Sequence, residues 1–261
     1  MTHSYTSLAN TCQRPINKHR LSHIACPYEG LSKVEKRGKV GFVDLAGNII
    51  IPIIYDDASS FSEGLAEVEL DNQTAFIDHQ GQTVFTLSND IQVLSDFKEG
   101  LLVIKQNGKI GFMDKTGSVA IKPSYDNASE FRENLAVVVI DGKWGFIDKT
   151  GKIVIKTQYD EAHKFFGGLA GVRMGDTWGA INPQGELVIP MIYDFIGHFK
   201  DNIADAKLDG EWLKIDKQGN RIDDDNPDYN QGIRHQKILN IINKNRQTPQ
   251  TYGITQAPPP H

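Results

Sequence analysis

The chain has 261 residues, a net charge of −5 and a hydrophobic fraction of 39%. The acidic balance argues against a dedicated nucleic-acid binder, which normally carries a basic domain. No run approaches the roughly 18 apolar residues that a membrane-spanning helix needs, so composition points to a folded chain and to nothing narrower.

Residues 1–20 form an irregular segment whose first part is rich in Ser, Thr, Asn and Gln, with no apolar stretch suited to a secretory signal. The only two cysteines, Cys12 and Cys26, precede the first well-formed motif. They are expected to be free thiols, which suits a reducing cytosol, and the expected location is cytoplasmic.

From 21 to 222 one segment recurs. A glycine closes each copy at Gly47, Gly81, Gly117, Gly151, Gly185 and Gly219, in steps of 34, 36, 34, 34 and 34 residues. A fixed period in this range marks a repeat architecture. Within the copy from Tyr159 to Pro190, three short extended runs are separated by turn residues, which predicts an antiparallel meander. Asn107-Gly108, Asp141-Gly142 and Asp209-Gly210 predict type I′ hairpin turns. Asp148-Lys149-Thr150-Gly151 and its equivalents predict a type I turn in which the Asp side chain bonds forward and Gly151 takes a left-handed conformation. The row of aspartates is therefore read as structural, and Asn182 does the same work in the fifth copy.

Each copy is joined to the next by a segment such as Tyr125 to Phe131 or Tyr159 to Phe165, whose Tyr and Phe are expected to be the buried joint. A Gly-Leu or Asn-Leu pair opens most first strands, as at Gly100-Leu101 and Asn134-Leu135. The tryptophans Trp144, Trp178 and Trp212 stand 34 apart and are read as inter-repeat core, with Gly145 and Gly179 following the first two.

Lys143-Trp144-Gly145-Phe146-Ile147-Asp148, with the following Tyr-Asp and Gly-Leu-Ala steps, resembles the bacterial WG-repeat family over roughly 29–222. Val40, Thr74 and Ile110 replace the Trp, and Ala75 and Leu213 the Gly. The second unit lacks Tyr-Asp at Ser88-Asn89-Asp90-Ile91 and carries two extra residues. The resemblance implies a binding or interaction module.

The expected architecture is an all-β repeat array of about six units, coiled as an open β-solenoid of hairpin units. A closed six-bladed propeller is the alternative, since four short strands satisfy a blade. The acidic stretch 223–230 reads as a linker. Residues 231–245 carry an apolar stripe, with Ile233, Ile238, Leu239, Ile241 and Ile242, that predicts a helix capping the last unit. Residues 246–261 read as a disordered tail.

No metal-ligand spacing, nucleophile elbow or phosphate loop is present in the sequence. No catalytic residue, metal or cofactor is expected. The leading expectation is a non-catalytic protein that binds another protein, one form being an immunity protein that neutralises a cytosol-acting toxin. The other is a carbohydrate or cell-wall module using the tryptophan file.

Overall fold

A computed structural model describes residues 12–222. The helix expected at 231–245, the linker at 223–230 and the tail at 246–261 lie outside the described residues, as do residues 1–11. What is described is all-β: six sheets, each of four antiparallel strands taken in chain order. They cover residues 23–55, 57–86, 91–125, 127–159, 161–193 and 195–222 and are called sheets 1 to 6. Sheet 4 shows the plan, with strands A (Asn127–Ala128), B (Ala136–Ile140), C (Lys143–Ile147) and D (Ile153–Tyr159). The same letters are used for the corresponding strands of every sheet.

Both predicted turns form. The B–C hairpin places Asp141 and Gly142 at φ 50° and 73°, as a type I′ turn requires. At the C–D turn Asp148 Oδ1 accepts from Thr150 N at 2.9 Å, Thr150 Oγ1 at 2.6 Å and Lys152 N at 3.1 Å, while Gly151 sits at φ 83°. Asn182 accepts from Gln184 N and Glu186 N in the same way. The aspartate after the joint tyrosine has its own structural task. Asp126 takes the hairpin N–H of Asp141 at 2.8 Å and the Lys109 ammonium at 2.6 Å, and Asp160 repeats this with Gly175 and Lys143.

The glycine after Trp144 answers a steric demand. Strand D pairs Ile155 with Phe146 but Tyr159 with Trp144, so it bulges between them. A Cβ on Gly145 would stand 2.6 Å from the Ile155 carbonyl oxygen and 2.7 Å from Thr157 N. Gly41, Gly111 and Gly179 face the same backbone approach. Where Ala75 replaces the glycine, strand D pairs without that bulge, as Ala75↔Thr86 and Phe76↔Phe85. Where Leu213 replaces it, the described part of strand D is Arg221–Ile222, paired with Ile215 and Lys214.

The core lies between sheets. Phe146 of sheet 4 packs at 4.9 Å on Phe165 of the next joint, and Phe42–Phe61 and Phe112–Phe131 repeat the pair. Each such layer also takes in the joint tyrosine and the inner residues of the following sheet, as Tyr159, Ala170, Val172 and Ile181 do here. Long carboxylates stitch the outside. Glu63 accepts from Glu99 N at 2.5 Å and Gly100 N at 2.8 Å, and Glu133 from Gly167 N at 2.6 Å and Gly168 N at 2.8 Å.

The two ends of the array differ from its middle. Cys12 and Cys26, expected as free thiols, are joined in a disulfide. The segment they bracket lies over the inner face of sheet 1. Leu21 packs with Val34 and Val43, and Lys18 and His19 bond Asn48 and the Gly47 carbonyl. In sheet 6, Lys214 occupies the place of Phe42, Phe76, Phe112, Phe146 and Ala180 and is exposed, whereas those five are buried.

Candidate functional site

Most repeated side chains are committed to turns and joints, so recognition must be sought where a unit departs from its siblings or where a repeated position stays exposed. The largest departure is in sheet 5. Ser59, Ser95 and Ser129 each accept the N–H of the facing B strand, from Glu67, Val103 and Val137. Sheet 5 has His163 at this phase. The residue facing it is Gly171, whose missing Cβ would lie 3.2 Å from His163 Nδ1. The glycine is what leaves room for the imidazole.

A run of rings grows from this substitution. The Arg132 guanidinium lies 3.8 Å over the Phe166 ring. Phe166 contacts His198 at 4.6 Å, His198 contacts His163 at 5.0 Å, and His163 contacts Trp178 at 4.5 Å. Phe195 then bridges Trp178 at 5.7 Å and Trp212 at 5.9 Å. The stack crosses the joint between sheets 5 and 6. At that step Gly167 stands where Glu29, Glu63, Glu99 and Glu133 supply carboxylates to the other joints.

A pocket of about 290 Å³ opens beside the stack. Val137, Val139 and Ala162 are buried among its lining residues, the half-buried Trp144 and His163 also line it, and the exposed Asn127 and His198 stand at its rim. Lys164 also lines it and is paired to Glu130 at 2.5 Å. Burial, chiefly, and then His198 hold the His163 imidazole below its ordinary pKa, with Glu161 and the Ile196 carbonyl acting the other way. His198 is exposed at the pocket rim, yet partial desolvation by the surrounding rings, then Lys164 and Arg132, lower its pKa. His163 Nδ1 is buried beside the Ile196 carbonyl without an aligned hydrogen bond.

The second feature is repeated and exposed. The first two residues of strand D include Ile49-Ile50, Val84, Val119, Ile153-Val154 and Leu187-Val188 in sheets 1 to 5, each at least 40% exposed. Strand D is the edge of its sheet. These side chains therefore recur as an aliphatic row along one border of the array.

The three tryptophans, expected alike, have different surroundings. Trp178 is buried at the joint of sheets 5 and 6, Trp144 is half-buried against the pocket, and Trp212 is 63% exposed. The interior ones are covered by the following unit, whereas Trp212 belongs to the last described sheet. Gly145, Gly179, Asp148 and Gly151 are held in the backbone and turn geometry described above and do not reach the pocket lining. Among the described residues no group of three or more His, Cys, Asp or Glu side chains could hold a metal ion. The same residues contain no helix long and apolar enough to cross a membrane.

These sheets and joints define a repeat protein in which each unit contributes one four-stranded sheet. The WG containing repeat family matches residues 41–73, 75–109, 110–144, 144–178 and 178–212, more than half of the chain, and the protein belongs to that family. A search of curated proteins finds no match. Among solved structures, Hsv2 of Kluyveromyces lactis is similar at TM-score 0.46 and 11% identity, over 75% of this chain and 72% of that one. A eukaryotic initiation factor is similar at TM-score 0.48 and 12% identity, over 76% of this chain and 63% of that one. Both likenesses are distant, and the fold described above rests on strand pairing.

Proposed function

We propose that the chain is a non-catalytic module that binds another protein along the aliphatic row of its D strands. The observation that carries this reading is the recurrence of exposed Ile, Val or Leu at one or both of two adjacent phases of strand D in five successive sheets. Apolar side chains repeated along one border are what a partner with an extended surface can cover. Edge strands also offer backbone groups, but Pro52, Pro123 and Pro190 each lack an N–H in the D strands of sheets 1, 3 and 5, so side-chain contact is the favoured mode. A toxin neutralised by an immunity protein is one partner of this kind.

The exposed Lys214 at a phase where interior units bury an aromatic or alanine, and the segment covering sheet 1, support an open array with two finished ends. The Cys12–Cys26 bond supports residence outside a reducing cytosol, in place of the cytoplasmic location expected from free thiols. Alkylation of the native protein before and after reduction reads its state directly.

The test of the binding reading is a double variant, Val154→Lys with Val188→Lys, used beside the wild type to capture partners from the native lysate. Both side chains are exposed, so the melting temperature should hold. A partner retained by the wild type and reduced at least tenfold with the variant supports the reading. Equal capture by both proteins removes the row from recognition.

A further inference from the structure

We propose that the pocket framed by Trp144, His163 and His198 binds one uncharged sugar ring. The pocket volume, about 290 Å³, lies at the low end of the range for small-molecule sites, which suits a single ring more than a polymer segment. One wall is an indole, a large flat apolar surface against which the C–H face of a pyranose can stack. Opposite chemistry comes from His163, His198 and the Asn127 amide. His163 can offer only Nε2, because Nδ1 is buried. Asn127 offers its amide N–H, while its Oδ1 already accepts from Ala128 N at 2.9 Å. With the His198 ring these give the donors and acceptors that sugar hydroxyls need.

Charge excludes the main rivals. The two imidazoles are held toward the neutral form, and Lys164 is already engaged by Glu130. A lone anion or cation therefore meets no unopposed charge in the lining. The site is also built and not inherited. His163, Gly171 and His198 each depart from the residues that other units place at those phases, and a Cβ at Gly171 would crowd His163 Nδ1 at 3.2 Å. A joint with only a packing task has no use for this paired change.

This proposal is independent of the protein-binding row. The experiment titrates the full chain with methyl glycosides of glucose, galactose and N-acetylglucosamine, read by tryptophan fluorescence and by saturation-transfer NMR. Saturable binding of at least one glycoside is expected, weakened at least tenfold in Trp144→Leu and in His198→Ala. His198 is exposed, so the second variant should keep the wild-type melting curve and separates binding from folding. The Val154→Lys, Val188→Lys protein should bind the glycoside unchanged. Absence of saturable binding by every glycoside up to its solubility overturns the proposal. So does binding that survives both pocket substitutions. Saturation by indole or phenol but by no glycoside also overturns it, and points to an aromatic side chain of a protein as the occupant.

Discussion

A single glycine shows how closely this repeat ties sequence to geometry. Gly145 is present because strand D bulges into the space that a Cβ would fill, 2.6 Å from the Ile155 oxygen. Gly145→Ala should therefore cost about 1–3 kcal/mol through overpacking, read as a lower midpoint in urea unfolding. Ala75→Gly, in the sheet without that bulge, should change stability by no more than about 1 kcal/mol. Equal effects at the two positions would mean that the bulge is not what selects glycine. His163 and His198 give the residue scale its pH dependence. Both are lowered in the folded state, so the unfolded chain binds their protons first as pH falls. Their contribution to stability is whole above the ordinary histidine range and fades as pH drops through the lowered values. Glu161 faces His163 and softens the effect, whereas Lys164 and Arg132 near His198 sharpen it. Melting temperature should fall between neutral and mildly acid pH in the wild type, and fall less in His163→Ser, the residue other units use at this phase. A parallel fall in both proteins would assign the acid sensitivity elsewhere.

At the scale of the element, the turns and sheets were legible and the stitching between them was not. Asp-Gly pairs and the Asp-x-x-Gly turn announce their backbone conformations locally, because each is set by residues within a few positions. The bulge in strand D is also written locally, as the sheet with Ala75 in place of the glycine reveals once the pairing is known. Glu63 is different. It precedes the recurrent Gly-Leu step, sits at φ 52°, and acts on a turn 36 residues away. Its exposed sequence context looks like any surface carboxylate. The pocket was missed for the same reason, since Trp144, His163 and His198 come from three units and no spacing rule connects them. The carboxylate stitch can be tested. Burial pushes the Glu63 carboxyl up, but hydrogen bonds from Gly100, Lys115 and Glu99 outweigh it and leave the pKa below the ordinary value. Its contribution is present above the ordinary carboxylate range and is lost as pH falls through that lowered pKa. Glu63→Ala leaves two backbone N–H groups without their acceptor, takes the carboxylate from Lys115 while leaving it the residue-63 carbonyl, and should cost about 1–3 kcal/mol near neutral pH. The difference between the two proteins should shrink in acid. A constant difference across pH would show that packing, not charge, carries the effect.

Across the whole molecule the question is how a stack of like units ends. An interior sheet presents Phe42, Phe112 or Phe146 to the next joint, where Phe61, Phe131 or Phe165 receives it. Sheet 6 presents Lys214 instead, opposite Asp205 across the hairpin. Thirty-four residues before Phe61, where a closed ring would need a receiving ring in sheet 1, the chain has Pro27. Neither residue suits a buried joint, which supports the open array proposed above. In the proposed open form a lysine at this phase would keep the end soluble, because an apolar terminal face would recruit further copies. Lys214→Phe restores the interior pattern beside the exposed Trp212 and should turn this end into a sticky one. Sedimentation should then show concentration-dependent self-association that the wild type lacks, relieved by adding Trp212→Ser. In a closed ring residue 214 would lie inside a seam and the new phenylalanine would be covered, so a monomer of unchanged or higher stability would exclude the open form.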